Sequence, residues 1–136
     1  MELNISLSEA VKPVEVEKVG EFIVGMQKEN GEIPWSVGGK TDPWDHVESA
    51  MGLSIAGFHR QAENAYLWLA STQLEDGSWW SETQNGVVIN SSRESNFAAY
   101  IAVGVYQHYL MTGSVAFLKR MWPTVSRGIQ YAVNMQ

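Results

Sequence analysis

The segment QLEDGSW, residues 73–79, decides how this chain is expected to fold. It follows an apolar stretch with helical spacing, and another copy, QKENGEIPW at residues 27–35, follows a similar stretch upstream. In both copies a Gly comes four residues after the Gln, and the copies lie 46 residues apart. A helix that ends in Gln, a turn centred on Gly and then a Trp together indicate a repeated α-hairpin.

The rest of the chain predicts an all-α fold of repeated α-hairpins in one domain over residues 1–136, with residues 1–12 as a lead-in. Pro123 is expected to interrupt the last helix and restart it at Thr124. The turn signal Asn85-Gly86 precedes three β-branched residues, which predict a short strand. Apolar spacing and capping residues place the helices at about residues 13–30, 43–58, 61–74, 92–111 and 115–136.

The alternation of long loops and short turns predicts two layers of helices. The first, third and fifth helices are expected in one layer, and the second and fourth in the other. The last helix closes on IQYAVNMQ, residues 129–136, which resembles the helix ends before the two Gly turns. We therefore expect either the N-terminal part of a larger repeat fold or a natural short relative of one. An array that ends after an odd helix leaves an apolar face uncovered, which predicts homo-oligomers; a closed five-helix bundle is the alternative.

Composition and charge exclude several classes of function. The net charge of −6 and the lack of any Lys/Arg cluster argue against nucleic acid and against an anionic membrane as partners. The chain has no Cys, which removes disulfides, thiolate metal sites and a Cys nucleophile. Its start does not read as a signal peptide, and no apolar run is long enough to span a membrane, so a cytoplasmic location is expected.

Two groups of residues carry a resemblance to known families. QLEDGSW after an aromatic-apolar helix resembles the QW repeat of terpenoid cyclases and prenyltransferase-like proteins. A Tyr-x-x-Thr-Gly turn that begins at Tyr109, followed by a Phe-Leu…Trp-Pro helix from Phe117 to Pro123, resembles the six-hairpin glycosidases, including glucoamylase-like enzymes. Both groups are α/α toroids, in which inner and outer helices form a barrel. The resemblance covers about residues 14–136 and implies a partial α/α toroid.

The resemblance places a pocket at the N-terminal ends of the inner helices. There Asp45 and Glu48 are three residues apart and share a helix face. Glycoside hydrolysis needs one carboxylic acid and one carboxylate. We expect Glu94, from the next inner helix, to form such a pair with either Asp45 or Glu48. The alternative is that these residues only stabilise their helices. Asp42 would cap its helix, and Asp45 and Glu48 would be first-turn acids that the helix dipole stabilises. Glu94 would complete a capping box with Ser91.

Five further residues are candidates for ligand binding. Flat Trp rings can stack on sugar rings, and an Asn amide can hydrogen-bond to sugar hydroxyls. His46 lies within one turn of three acids, which suits acid/base chemistry; a hydrogen-bonded core His is the alternative. Trp79 is instead expected to wedge between hairpins, with Gln73 capping backbone groups. No metal site is expected, because the chain lacks an HExxH motif, and no cofactor is expected. The candidates are Trp35, Trp44, His46, Trp80 and Asn96.

These residues favour an acidic, Trp-lined pocket for a carbohydrate-like small molecule, in a domain related to glycoside hydrolases. Whether the chain is catalytic stays open, since two inner helices do not enclose a complete toroid cavity in one copy. A prenyltransferase-like or terpenoid-cyclase-like protein is one alternative, but the acidic cluster is polar for such a cavity and the Asp-x-Asp-Asp motif is absent. A non-catalytic repeat module that associates with itself is the other alternative.

Overall fold

The computed structural model describes residues 14–136, so the expected lead-in and Pro13 lie outside the described residues. The described chain is all-α apart from one antiparallel β-hairpin, which confirms the predicted fold class. In chain order its elements are α1 (Val16–Met26), α2 (Pro43–Ile55), α3 (His59–Thr72), β1 (Glu82–Gln84), β2 (Val87–Asn90), α4 (Ser95–Thr112) and α5 (Val115–Asn134). None of the helices within residues 14–136 is both long enough and apolar enough to cross a bilayer.

The core lies where α2, α3 and α4 meet. Helix α2 packs on both α3 and α4, α5 packs along α4, and α1 lies on α2. Gly104 lets α4 come close to its neighbours, because a Cβ there would lie 2.6 Å from Val47 and 2.7 Å from the hydroxyl of Tyr66. The large buried apolar side chains of this core are Val47, Leu53, Tyr66, Leu69, Ile101, Val105, Phe117 and Met121.

The first Gly turn joins the end of α1 to the side of α3. The Gln27 side-chain amide donates to the carbonyl of Gly31, at 3.1 Å, and to the carbonyl of Gln61 in α3, at 2.9 Å. Gly31 has φ +95°, and a Cβ there would lie 2.3 Å from the carbonyl oxygen of Asn64. Only Gly therefore fits this contact without moving α3.

The second Gly turn makes the same set of contacts one hairpin later. The Gln73 amide donates to the carbonyl of Gly77 and to that of Thr124 in α5, both at 3.0 Å. Gly77 has φ +91°, and a Cβ there would lie 2.3 Å from the carbonyl oxygen of Arg127. The sequence repeat is therefore also a repeat of hydrogen bonds, which ties α3 to α5 as the first turn ties α1 to α3.

Trp79 lies inside the second hairpin, where its position follows from the same turn. The side chain is buried, and its indole N–H donates to the carbonyl of Leu69 at 2.9 Å. The ring lies against Gly128 of α5, whose added Cβ would be 3.5 Å from the Trp79 ring. This Trp therefore serves packing between α3 and α5.

The β-hairpin closes the long loop before α4. Its turn residues Asn85 and Gly86 both have positive φ, at 49° and 78°, as a two-residue hairpin turn requires. The sequence predicted the turn and the strand after it, but the partner strand β1 was not predicted. Thr83 also pairs with Thr41, through backbone hydrogen bonds of 2.8 and 2.9 Å. This bridge holds the hairpin against the loop before α2.

Several predicted helix boundaries were wrong. Helix α1 ends at Met26 and α2 ends at Ile55, earlier than the predicted residues 30 and 58. Helix α4 begins at Ser95, with Glu94 as its N-cap, instead of being capped by Ser91 or Ser92. Ser92 is held elsewhere, because its hydroxyl and backbone N–H donate to the side chain of Asn90. The alternative of a capping box between Glu94 and Ser91 fails as well, because Glu94 is itself the N-cap residue and its side chain makes no capping hydrogen bond.

Helix α5 is continuous through Pro123, whereas the sequence predicted a restart there. Its start is as predicted, because the Ser114 hydroxyl accepts from the backbone N–H of Phe117. Pro123 lies on the exposed side of the helix, so water can bond the carbonyl that its missing N–H leaves free. The buried face continues past the Pro through Thr124 and Val125, and this packing keeps the helix whole.

Candidate functional site

A cleft of about 230 Å³ lies between the N-terminal ends of α2 and α4 and the base of the β-hairpin. We call it the acidic cleft, because four of its lining residues carry carboxyl groups. It brings together four predicted site residues, of which Trp35, Trp44 and Asp45 lie within ten residues of one another and Glu94 is distant in sequence. The lining residues are Trp35, Asp42, Trp44, Asp45, Ser81, Glu82, Asn90, Glu94 and Phe97.

Asp42 is the fixed carboxylate of the cleft. It is the N-cap of α2, and one of its oxygens accepts from the backbone N–H of Asp45 at 3.0 Å. The other oxygen accepts from the indole N–H of Trp35 at 2.5 Å. The side chain is nearly buried. The predicted cap is therefore present, and it also orients a Trp at the cleft.

Asp45 is the carboxyl of the cleft whose pKa is raised. Partial burial raises the pKa of Asp45 above its ordinary 3.8, and the neighbouring charge and hydrogen-bonding oxygen of Asp42 raise it further. The charge of Glu48 adds to this rise, while Lys40 opposes it. A carboxyl whose pKa is raised by a neighbouring carboxylate is the arrangement that general acid catalysis uses.

Glu48 supports an aromatic pair at the edge of the cleft. The rings of Trp44 and Tyr100 are stacked, with centroids 3.7 Å apart and planes 4° from parallel. One Glu48 oxygen accepts from the indole N–H of Trp44 at 2.9 Å and from the hydroxyl of Tyr100 at 3.3 Å. Glu48 is exposed and does not line the acidic cleft, although its charge still acts on Asp45.

Glu94 faces the cleft from α4. Although it is the N-cap residue, its side chain makes no capping hydrogen bond, and the residue is exposed. The cleft therefore has carboxyl groups at the first turn of α2 and at the start of α4. Asp45 and Glu94 thus line one cleft, and their pairing as acid and carboxylate stays a prediction.

Lys40 and Glu82 form the opposite rim, which the sequence did not predict. The ammonium of Lys40 pairs with Glu82 and lies 4.0 Å from the centre of the Trp35 ring. Trp35 keeps more than half of its surface exposed beside this cation. The rim therefore presents an aromatic ring, a cation and a carboxylate to anything in the cleft.

His46 points away from the cleft into the core. Its Nδ1 accepts from the backbone N–H of Ile33 at 3.2 Å, and its Nε2 lies 2.9 Å from the carbonyl of Ala65, so the ring proton sits on Nε2. Burial lowers the pKa of His46 to about 4, against the backbone hydrogen bonds that favour the proton. Both nitrogens are used within the fold, which matches the core alternative considered for this residue.

Trp80 and Asn96 lie outside the acidic cleft. Trp80 lines a larger cavity of about 650 Å³, together with Thr41 and Thr83. Adjacent residues of an extended strand point to opposite sides, so Asp42 and Glu82 face the cleft while the two Thr residues face the cavity. Asn96 is exposed on the first turn of α4 and is not among the residues that line the cleft.

Some residues of the site carry sequence signals that could have been used. Phe97 and Tyr100 are aromatic residues three apart in the first turns of α4, as Asp45 and Glu48 are in α2. That spacing places both rings on one helix face, and Tyr100 stacks there on Trp44 of α2. Lys40 and Glu82 carry no such signal, because their pairing depends on the Thr41–Thr83 bridge between two loops.

The described part of the chain contains no group of three or more His, Asp or Glu side chains placed to hold a metal ion. The side chains at the cleft and its rim supply carboxyl groups, hydroxyls, an ammonium group and aromatic rings. These groups suit the recognition of neutral, hydroxyl-rich molecules and proton transfer to them.

Comparison with known proteins gives one informative likeness. The chain is 44% identical over 124 residues to the MMP endo-(1,4)-3-O-methyl-alpha-D-mannosidase of Mycolicibacterium hassiacum. The match covers 91% of this chain and 34% of that protein, so the chain spans about a third of the length of the relative. No family model matches the chain. The likeness to a glycosidase agrees with the glycosidase side of the sequence resemblance.

Proposed function

We propose that this chain carries a carbohydrate site of a glycoside hydrolase that acts on α-(1→4)-linked 3-O-methyl-D-mannose chains. The observation that carries this proposal is the pair of Asp42 and Asp45 in a Trp-lined cleft. Asp42 is a fixed, hydrogen-bonded carboxylate, and the pKa of Asp45 beside it is raised. The likeness to an endo-acting mannosidase supplies the substrate class.

In this proposal Asp45 is the general acid. Protonated Asp45 donates its proton to the glycosidic oxygen as the bond to the anomeric carbon breaks, and Asp42 stabilises the protonated form by accepting from it. Hydrolysis also needs a carboxylate across the sugar ring, either as a base that activates water or as a nucleophile. Glu94 is the candidate for that role, because its side chain is free of capping bonds and lines the same cleft.

The aromatic residues position the sugar. Trp35 offers an exposed ring whose N–H is tied to Asp42, so sugar binding and the acid pair are linked through one hydrogen bond. The ring orientation of Trp44 is fixed by its parallel stack on Tyr100 and by the hydrogen bond from its indole N–H to the carboxylate of Glu48. We therefore assign Glu48 to positioning the aromatic pair. His46 has no role in the reaction.

We also propose that the hairpins belong to an α/α toroid. The two Gln–Gly turns support this, because in each the Gln amide donates one hydrogen bond within the turn and one to the helix of the next hairpin. Such a repeat continues by adding hairpins around a common axis. The prenyltransferase-like and terpenoid-cyclase-like alternatives are not favoured, because the cleft is lined by carboxylates.

Calorimetric titration with an α-(1→4)-linked 3-O-methylmannose oligosaccharide tests the proposed site. Trp35→Ala is expected to weaken binding roughly 3- to 10-fold through the loss of ring contact. Asp45→Asn is expected to retain binding and to reduce hydrolysis, followed by the release of shorter oligosaccharides, by about 10²- to 10⁴-fold. Trp122→Ala is the matched control, because Trp122 is an exposed Trp on α5, away from the cleft.

Two outcomes would contradict the proposal. The first is an oligosaccharide that fails to bind the wild-type chain. The second is equal loss of affinity in the Trp35 and Trp122 variants, which would mean that the cleft is not the binding site.

A further inference from the structure

A groove of about 560 Å³ runs between α1 and α2 directly beside the acidic cleft. Trp35 and Asp45 line both spaces, so the groove begins where the cleft ends. We call it the α1–α2 groove. Its walls are formed mainly by Val19, Phe22, Ile23 and Met26 of α1 and by Ser49 and Gly52 of α2.

The α1 wall of this groove is apolar and open. Phe22 is 71% exposed and Val19 is 49% exposed. These residues are three apart on one helix, so they form a continuous apolar strip along the groove. Large apolar side chains left open beside a polar site mark a surface that binds something apolar.

The α2 wall includes the small residues Ser49 and Gly52. Gly52 has no side chain, and an added Cβ would lie 3.2 Å from the Cδ1 of Ile23, so α1 packs closely on α2 at this point. Ser49 and the exposed carboxylate of Glu48 add polar atoms along the same wall. One side of the groove is therefore apolar, and the other can accept and donate hydrogen bonds.

We infer that the α1–α2 groove binds 3-O-methyl groups of the sugar units next to the one in the acidic cleft, and so selects methylated over unmethylated mannose chains. This inference rests on the proposed function. A methyl ether presents apolar surface to Phe22 and Val19 and gains from leaving water. A free hydroxyl in the same place would lose its hydrogen bonds to water without a replacement. The polar α2 wall suits the hydroxyls that remain on each unit.

The continuity of the two spaces favours this occupant over a partner protein. A polymer cut at an internal bond extends past the cleft, and the groove is the space that shares Trp35 and Asp45 with it. The groove also combines apolar and polar walls, as a partly methylated sugar chain does. A second copy of this chain is the competing occupant, and the test below separates the two.

The test compares two tetrasaccharides of α-(1→4)-linked mannose that differ only in 3-O-methylation. Each methyl group buried in the groove is expected to tighten binding roughly 4-fold, so two of them give a methylated-to-unmethylated affinity ratio of about 15. Phe22→Ala is expected to lower this ratio to about 4 or less, because the methylated chain loses more affinity than the unmethylated chain. Val103→Ala, an exposed apolar residue of α4, is expected to leave both affinities as they are.

Each contrary result has its own meaning. Equal binding of the two tetrasaccharides to the wild type would overturn the selectivity inference and leave the proposed function standing. An equal loss of both affinities in Phe22→Ala would also overturn it. Self-association that Phe22→Ala abolishes in light scattering would assign the groove to a second copy. Absence of binding to both chains would overturn the proposed function itself, and the inference with it.

Discussion

Asp45 and His46 are neighbours in sequence with opposite environments. Successive residues of a helix point about 100° apart, so one of these side chains reaches the acidic cleft while the other enters the core. The pKa of Asp45 is raised by partial burial and by Asp42. The pKa of His46 is lowered by full burial. Both shifts have consequences for stability that titration can measure.

Asp45→Asn is expected to stabilise the fold at pH 7. Because the pKa of Asp45 is raised in the folded state, folding holds the proton more tightly, and stability is lost as pH rises above the ordinary 3.8. The Asn variant avoids that loss, and the partly solvated site limits the gain in Tm to roughly 1–3 °C. The gain should vanish at about pH 4 and below.

Asp76→Asn is the matched control with the opposite sign. The hydroxyl of Ser78 donates to Asp76 at 2.6 Å and lowers the pKa of that carboxyl, with help from Arg93. Folding therefore favours its charged form, and the Asn variant should have a lower Tm at pH 7. Thermal melting of both variants at pH 7 and pH 4 checks the pair, and a fall in Tm for Asp45→Asn at pH 7 would contradict the account of the cleft.

Acid is expected to destabilise the protein through His46. Unfolding lets this His take up a proton near its ordinary pKa of 6.5, whereas the folded pKa is about 4. The free energy of unfolding should thus fall by on the order of 3 kcal/mol between pH 6.5 and pH 4. His46→Gln should flatten this slope when urea unfolding is followed across the same pH range. An unchanged slope would mean that other groups dominate the acid response.

At the residue level, the sequence identified the carboxyl and Trp residues of the cleft, but it did not predict which side chains face the cleft and which face the core. Asp45 and Glu94 could be predicted to meet, because each starts an inner helix after a long loop. The orientation of His46 could not be separated from that of Asp45 by helical periodicity, since the boundary between core and cleft passes between them. The rim pair of Lys40 and Glu82 depends on contact between two loops, which local sequence does not encode.

At the level of elements, the Gln–Gly turns carry the most specific packing. We expect Gly77→Ala to lower the free energy of unfolding by roughly 2–4 kcal/mol, because its Cβ would lie 2.3 Å from the backbone of Arg127 in α5. Gly38→Ala is the matched control, since Gly38 also has positive φ but nothing within 4 Å of an added Cβ. It should cost only about 1–2 kcal/mol. Equal losses in urea unfolding would show that backbone conformation alone, and not docking on α5, decides the cost.

The elements also show where sequence rules are overridden by packing. Pro123 reads as a helix break, yet α5 continues through it because the residue is exposed and the next turn is buried. The strand β1 has a short and mixed sequence, and it forms because Asn85-Gly86 turns the chain back and Thr41 pairs with Thr83. Repeats and turns could be predicted, whereas elements that depend on such partners could not.

At the level of the whole molecule, we expect the chain to self-associate through α5. Its outward side carries Trp122, Ile129 and Val133, which lie four to eleven residues apart on one helix face and are 63%, 40% and 54% exposed. Light scattering across a concentration series should show a rising mass. The double variant Ile129→Lys and Val133→Lys should lower it, with Val103→Lys on α4 as the control. A constant monomer mass in the wild type would contradict this prediction.

We propose the acidic cleft, and not the larger cavity behind the hairpin, as the binding site of the sugar chain. The six Trp residues give six indole N–H signals in an NMR spectrum, and those of Trp35 and Trp44 report on hydrogen bonds to Asp42 and Glu48. On titration with an α-(1→4)-linked 3-O-methylmannose oligosaccharide, we expect shifts of these two signals and none for buried Trp79. Shifts of Trp80 with Trp35 and Trp44 unmoved, or no shift at any Trp, would contradict this proposal.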